Sequence, residues 1–148
     1  MALHQNDVGQ RRKPVATAHY AGVEAVNIFT HTFAAAFTAA TDVLEIGMVP
    51  ANTIATEITL IGDTISALQT ATIGILDGDY GDGDDTRDIA TQIATGLDVA
   101  DATASVPVAT AIAVAPANTN LGLGIKLTVD VAAGAGTLTV IVKHIAAG

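Results

Sequence analysis

Apolar residues near the C-terminal end of this 148-residue chain recur at every second position. Leu123, Ile125, Leu127, Val129 and Val131 alternate with Gly124, Lys126, Thr128 and Asp130. A period of two turns one set toward a core and the other toward solvent, as a half-buried β-strand requires. Leu138, Val140 and Val142 repeat the pattern against Thr139, Ile141 and Lys143. The Gly-rich link between them, Ala132 to Gly136, reads as a hairpin connection.

Shorter runs of the same kind occur upstream. Leu44, Ile46 and Met48 oppose Val43, Glu45 and Gly47. Ile54, Ile58 and Leu60 oppose Ala55, Glu57 and Thr59, and Ile73 and Ile75 open a further strand. Val106, Val108, Ile112 and Val114 supply one more. Gly, Pro, Asn and Asp stand between the runs, where turns need them. Phe29, Phe33 and Phe37 are spaced by four, which suits a helix face or one face of a strand. The threonines around them favour strand. Ile89, Ile93 and Leu97 are also spaced by four, behind Thr86 as a helix cap, and read as a short helix or an irregular crossover.

A Pro-Ala-Asn-Thr turn occurs twice, at Pro50 to Thr53 and at Pro116 to Thr119, each time joining two strands. Two such units suit a two-sheet sandwich with pseudo-symmetric Greek-key halves. One domain over residues 17–148 is expected, preceded by an extended basic N-terminal arm over residues 1–16. The arm holds Arg11, Arg12 and Lys13, half of the six Lys and Arg, and is closed by Pro14.

Composition narrows the function classes. Half of the residues are hydrophobic but only 3% are aromatic, so the core is thin and gains from a partner or an oligomer. The net charge of −9 and the shortage of aromatics argue against nucleic acid, which wants a basic, stacking surface. No cysteine is present, which removes disulfides and thiolate chemistry. The first residues lack the apolar run of a secretory signal. The longest apolar stretch, Val106 to Ala117, carries two prolines and is too short to span a bilayer. A soluble protein without a membrane partner is expected.

Catalytic constellations are hard to assemble. Ser66 and Ser105 sit in no nucleophile motif, and His4, His19, His31 and His144 are scattered. Glu24, Glu45 and Glu57 could serve as paired carboxylates. Glu45 and Glu57 fall on the solvent phase of their strands, and no aromatic sugar platform accompanies them. Gly122-Leu123-Gly124 has no following helix and says nothing of dinucleotides. No catalytic residue is assigned, and no enzyme is expected.

The sharpest local anomaly is the run from Asp77 to Asp88, which holds six of the fifteen acids. Its spacing fails the EF-hand pattern, because Asp82 stands where glycine is required and Asp88 where a bidentate Glu is required. A looser Ca²⁺ loop built from Asp77, Asp79, Asp82, Asp84 and Asp85 is the one cofactor candidate. A solvated acidic loop, or charge complementarity with a basic neighbour, explains the same residues.

Asp42-Val-Leu-Glu-Ile-Gly-Met-Val-Pro50-Ala51 leads to a strand ending Leu60-Ile61-Gly62-Asp63. Then come Thr70-Ala-Thr-Ile-Gly-Ile-Leu-Asp77-Gly78-Asp79, the Gly81-Asp82 loop and Ala113-Val-Ala-Pro116. This order resembles the head decoration, or cement, proteins of tailed bacteriophages, closely over residues 41–86 and loosely over 106–145. The resemblance implies an all-β, jelly-roll-like antiparallel β-sandwich on the outer surface of a virion, made in the host cytoplasm. It implies dimers or trimers that staple neighbouring copies of the major capsid protein, with no catalytic residue to carry over. Arg11, Arg12 and Lys13 are then candidates for reaching an acidic patch on the capsid. A receptor- or glycan-binding module, Ca²⁺-dependent and using Tyr80, is the alternative, as is a tail or neck component.

Overall fold

The structure is a computed structural model and describes residues 2–6 and 23–147. Nine strands and one short helix follow one another along these residues. They are β1 (Leu3–Gln5), β2 (Glu24–Thr32), β3 (Val43–Val49), β4 (Thr53–Asp63), β5 (Thr70–Leu76), β6 (Ile89–Asp98), β7 (Thr103–Val106), α1 (Val108–Ile112), β8 (Leu121–Leu127) and β9 (Thr137–Ala146). One sheet has the order β1-β3-β8-β5-β6 and the other β2-β9-β4-β7.

The pairing is nested. β2 pairs with β9, β3 with β8, β4 with β7 and β5 with β6, all antiparallel. A long hairpin of eight strands has thus been rolled so that its four rungs alternate between two sheets. That is the jelly roll, two Greek keys in one sandwich. β1 lies outside this scheme and pairs in parallel with the free edge of β3. The beginning of the segment read as an arm is therefore docked as a strand.

Inward positions come from the period-two sets. Leu138, Val140 and Val142 of β9 and Leu123 and Ile125 of β8 are fully buried. Phe29, Phe33 and Phe37 fill the space between the sheets, with Phe33 and Phe37 edge to face at 5.9 Å. Gly47 is part of this packing, since a Cβ there would run into the Phe29 ring. All three Phe are thus concentrated in one place.

Several expectations fail for identifiable reasons. Ala132 to Gly136 is no hairpin, because β8 and β9 belong to different sheets and the link crosses between them. The alternation after Leu127 is not strand either. The buried Gln69 accepts through Oε1 from the backbone N–H of Thr128 and Val129 at 3.0 and 2.9 Å. Its Nε2 donates to the Val129 carbonyl at 2.7 Å, which ends β8 and leaves Val129 exposed. The Val106–Val114 strand stops at Val106. Pro107 then presents φ −54°, and its carbonyl accepts from Thr110 and Ala111 N–H to open α1. The four-residue spacing of Ile89, Ile93 and Leu97 belongs to a strand. β6 slips register against β5 three times, so ten of its residues oppose seven. A bulge between Ala55 and Glu57 likewise turns Ile54 to the outer face and Ala55 inward. The Phe29–Phe37 segment is strand only to Thr32.

Candidate functional site

The acidic run folds as a loop over one end of the β3-β8-β5-β6 sheet. Its base is closed by two bonds. Asp77 N–H donates to the Asp88 carbonyl at 3.0 Å, and Asp88 N–H donates to Asp77 Oδ1 at 2.8 Å. Inside the loop lies Arg87, only 3% exposed. Its Nε donates to the Asp77 carbonyl at 2.8 Å and its Nη1 to the Asp82 carbonyl at 2.7 Å. Its Nη2 donates to Glu45 Oε2 at 2.7 Å.

Glu45 is the anchor beneath the loop. The sequence pattern placed it on the solvent phase of β3, but it is fully buried. The loop supplies the cover, so the outer face of β3 is as dry as the inner one. Oε1 of Glu45 also accepts from Gln5 Nε2 at 2.6 Å and from Gly81 N–H at 3.2 Å. One carboxylate thereby joins β1, β3 and the loop. Removing two charges from water is costly, and the geometry answers it by meeting both ends of the pair with further hydrogen bonds.

The glycines of β8 explain how this fits. A Cβ on Gly122 would stand 2.5 Å from Glu45 Oε2 and 3.2 Å from Arg87 Nη2. A Cβ on Gly124 would run into the Leu76 side chain. Two glycines inside a strand pattern signal close approach from above, and here the approaching groups are the ion pair and Leu76. This was the available sequence signal for the Glu45–Arg87 site. Arg87 itself sits among aspartates and reads from sequence as one more surface charge.

Beside the loop lies a cleft of ≈ 330 Å³ lined by Ala51, Asp79, Tyr80, Asn118, Thr119 and Asn120. The two Pro-Ala-Asn-Thr turns meet at its wall. Asn52 N–H, at φ 58°, donates to the Ala117 carbonyl at 2.7 Å, and Ala51 N–H donates to Asn120 Oδ1 at 2.9 Å. The first turn joins β3 to β4 as expected, but the second runs from α1 to β8 and so does not join two strands; what the two share is this contact with each other. Tyr80 is largely buried, at 7% exposure, and offers little ring surface.

Asp77, Asp79, Asp82, Asp84 and Asp85 are all exposed on the loop. Three of them accept from the loop's own backbone. Asp77 Oδ1 takes Asp88 N–H, and Asp82 Oδ1 takes Asp84 N–H at 3.1 Å. Asp84 Oδ1 takes the N–H and hydroxyl of Thr86, which hold its carboxyl below the usual range. No group of three or more His, Asp or Glu among the described residues is placed to hold a metal ion. Asp88 bonds Lys126 at 2.6 Å, and that contact leads the causes that lower its carboxyl. Glu24 and Glu57 lie on the other sheet from Glu45, with Glu57 3.3 Å from Lys143. The three glutamates are not brought together as a pair of working carboxylates. Arg11, Arg12 and Lys13 lie outside the described residues.

A second cluster holds the N-terminal strand. His4 Nε2 is 3.0 Å from Asp42 Oδ2, and its ring lies 5.1 Å from Phe37. Asn6 Nδ2 donates to the Ile46 carbonyl at 2.6 Å. Burial opposes ionisation of Asp42. Hydrogen bonds from Thr38, His4, Ala2 and Thr41 outweigh it and hold the carboxyl below its ordinary value. His31, packed edge-on against Phe33, has its pKa lowered to about 4 by burial and by His4.

No protein-family model and no curated protein sequence matches the chain. Among solved structures it is similar to a chain from the "Capsid of Ralstonia phage GP4", with a TM-score of 0.84 and 24% identity over 98% of each chain. The two chains share one fold. A chain of the "Cyanophage Pam1 capsid asymmetric unit" gives a TM-score of 0.43 and 20% identity over 90% of this chain and 94% of that one. The all-β sandwich expected from the sequence is thus the fold of this chain and of the Ralstonia phage chain.

Proposed function

We propose that the chain is a structural protein of a phage virion that sits on the outside of the assembled capsid and bridges neighbouring capsid subunits. One observation carries the reading. The fold matches a chain of a phage capsid nearly end to end on both sides, so a whole jelly roll is shared rather than a part of one. The site described above fits a binding role. Its buried ion pair holds a loop and a terminal strand in place and leaves neither charge open to a substrate.

A protein of this kind works by mass action. Bound to the assembled shell and not to separated subunits, it stabilises the shell by RT ln(1 + [L]/Kd) per site, about 2.7 kcal/mol at a hundredfold excess over Kd. Bridging converts that into resistance to expansion or rupture. The basic residues Arg11, Arg12 and Lys13 would contact acidic capsid surface. The direct experiment mixes the purified chain with heads that lack it and sediments them. Stoichiometric co-sedimentation with heads but not with unassembled capsid protein supports the reading. Recovery of the chain in the supernatant at saturating concentration overturns it.

A further inference from the structure

The links that follow β4, β6 and β8 (64–69, 99–102 and 128–136) lie at the end of the sandwich away from the acidic loop. Bonds tie them together. Thr64 N–H donates to Asp101 Oδ1, and the Gln69 carbonyl accepts from Val99 N–H at 3.0 Å while its side chain holds Val129. Of the four described non-glycine residues with positive φ, three stand here: Thr64, Leu68 and Asp101. An aspartate tolerates that region, but in Thr and Leu the Cβ crowds the backbone. Leu68, at φ 60°, is also 87% exposed, whereas Ile65 of the same link is buried. A lone exposed leucine is ordinary on a protein surface. A leucine held outward on a strained backbone is not. It adds little burial to the fold, and a glycine would sit there without strain. Its use therefore lies outside the fold. Val129 of the adjoining link adds a second exposed apolar side chain.

The rim of this end is acidic. Asp63, Asp98, Asp101 and Asp130 are all exposed, and neither Lys nor Arg occurs in 63–69, 98–102 or 128–136. One oxygen fixes each of the four. Asp63 Oδ1 accepts from the Thr64 hydroxyl, Asp98 Oδ1 from Ala100 N–H, Asp101 Oδ1 from Thr64 N–H and Asp130 Oδ1 from Ala39 N–H. An apolar anchor within a pre-positioned charged rim is the layout of a binding hot spot. The rim also selects the partner. Two such ends repel each other, and the acidic loop repels them as well. The described surface of the chain has no free cation to offer: Arg87 is buried on Glu45, Lys126 bonds Asp88 and Lys143 bonds Glu57. The matching surface belongs to a different protein and is an apolar socket with Lys or Arg around its mouth.

We infer that Leu68 is an anchor by which the chain seats on a capsid subunit, entering an apolar socket rimmed by basic side chains. The inference rests on the capsid-binding reading above and names the surface that makes the contact. Its test titrates the full chain against heads that lack it and measures the bound fraction by sedimentation at several salt concentrations. Leu68→Gly should melt no lower than wild type, because glycine accepts the left-handed backbone, yet bind heads about tenfold or more weakly. A residue that served only the fold would not separate the two readouts. Asp63→Asn with Asp130→Asn keeps both Oδ1 acceptors and should flatten the salt dependence. Asp79→Asn with Asp85→Asn, in the acidic loop, should leave it unchanged. Ile28→Ser, at a 65% exposed residue of β2, should bind like wild type. If wild type and Leu68→Gly bind heads equally well, the inference is overturned and the capsid reading stands. A wild type that binds no heads overturns both. Self-association of the free chain that Leu68→Gly abolishes also overturns the inference, because the socket would then lie on a second copy.

Discussion

Arg87 Nη2 lies 2.7 Å from Glu45 Oε2, and both side chains are almost wholly removed from solvent. The pair joins a loop of aspartates to the strand that the N-terminal segment pairs with. Its consequence is architectural: the only cation within the acidic run is turned inward, and the exposed carboxylates are left to face outward. The loop is thereby shaped from within and acidic from without.

Breaking such a pair leaves one charge buried and unpaired, which costs about 3–5 kcal/mol. Arg87→Ala is therefore expected to lower stability by that order in denaturant unfolding. Replacing both partners together, Glu45→Leu with Arg87→Met, should lose less than Arg87→Ala alone. A double-variant loss equal to the sum of the losses in Arg87→Met and Glu45→Leu taken singly would show that the pair is not coupled.

Gly122 and Gly83 offer a matched contrast. A methyl group on Gly122 collides with Glu45, whereas Gly83 has nothing within 4 Å of its would-be Cβ. Gly122→Ala should cost about 1–3 kcal/mol through overpacking, and Gly83→Ala should stay within about 0.5 kcal/mol of wild type. Thermal melting of the two variants side by side checks this. A harmless Gly122→Ala would mean that the ion pair can move aside.

How far the sequence exposes this fold depends on what covers each strand. β9 and β8 are legible because one face meets the core, so Leu138, Val140 and Val142 print a period of two. β3 misleads, because the folded-back loop buries its outer face and Glu45 with it. Period alone cannot report a cover supplied by a distant loop. β6 misleads because bulges insert residues and convert a spacing of two into a spacing of four. The turn at Pro107 hides because a proline that ends a strand also opens a helix, and Ala-rich sequence after it serves either. The nested pairing is set by long-range register, and local pattern carries no record of it. Of the site, the acidic loop was plain and the glycines of β8 were a clue. The partnership of Glu45 with Arg87 needed the third dimension.

Acid should weaken the fold in a defined window. His31 has a folded pKa of about 4 against an ordinary 6.5, so the unfolded chain binds more protons between those values. Stability then falls as pH drops from about 6.5 toward 4. Asp42, held below its ordinary value, adds a further loss at lower pH as its carboxylate is protonated. Melting temperature measured from pH 8 to pH 4 should decline below pH 6.5, and His31→Asn should flatten that limb. An unchanged slope in the variant would assign the decline to other groups.

Gln69 takes up the backbone where β8 ends, with three bonds to Thr128 and Val129. Gln69→Ala removes the side-chain partner of the Val129 N–H and carbonyl and leaves the Thr128 N–H to the Thr70 carbonyl at 3.1 Å, a loss of about 1 kcal/mol for each hydrogen bond not replaced by water. Hydrogen exchange at the Val129 amide should accelerate in the variant relative to β9. Unaltered protection there would show that other groups cap the strand end.

Under the proposed function, the chain reinforces a capsid by clasping it. Shell rupture, followed as release of packaged DNA on heating, measures this most directly in heads with and without the bound chain. The account predicts a higher release temperature in saturated heads, and a return to the bare-head value when the chain is washed off. Identical release temperatures at full occupancy would contradict it.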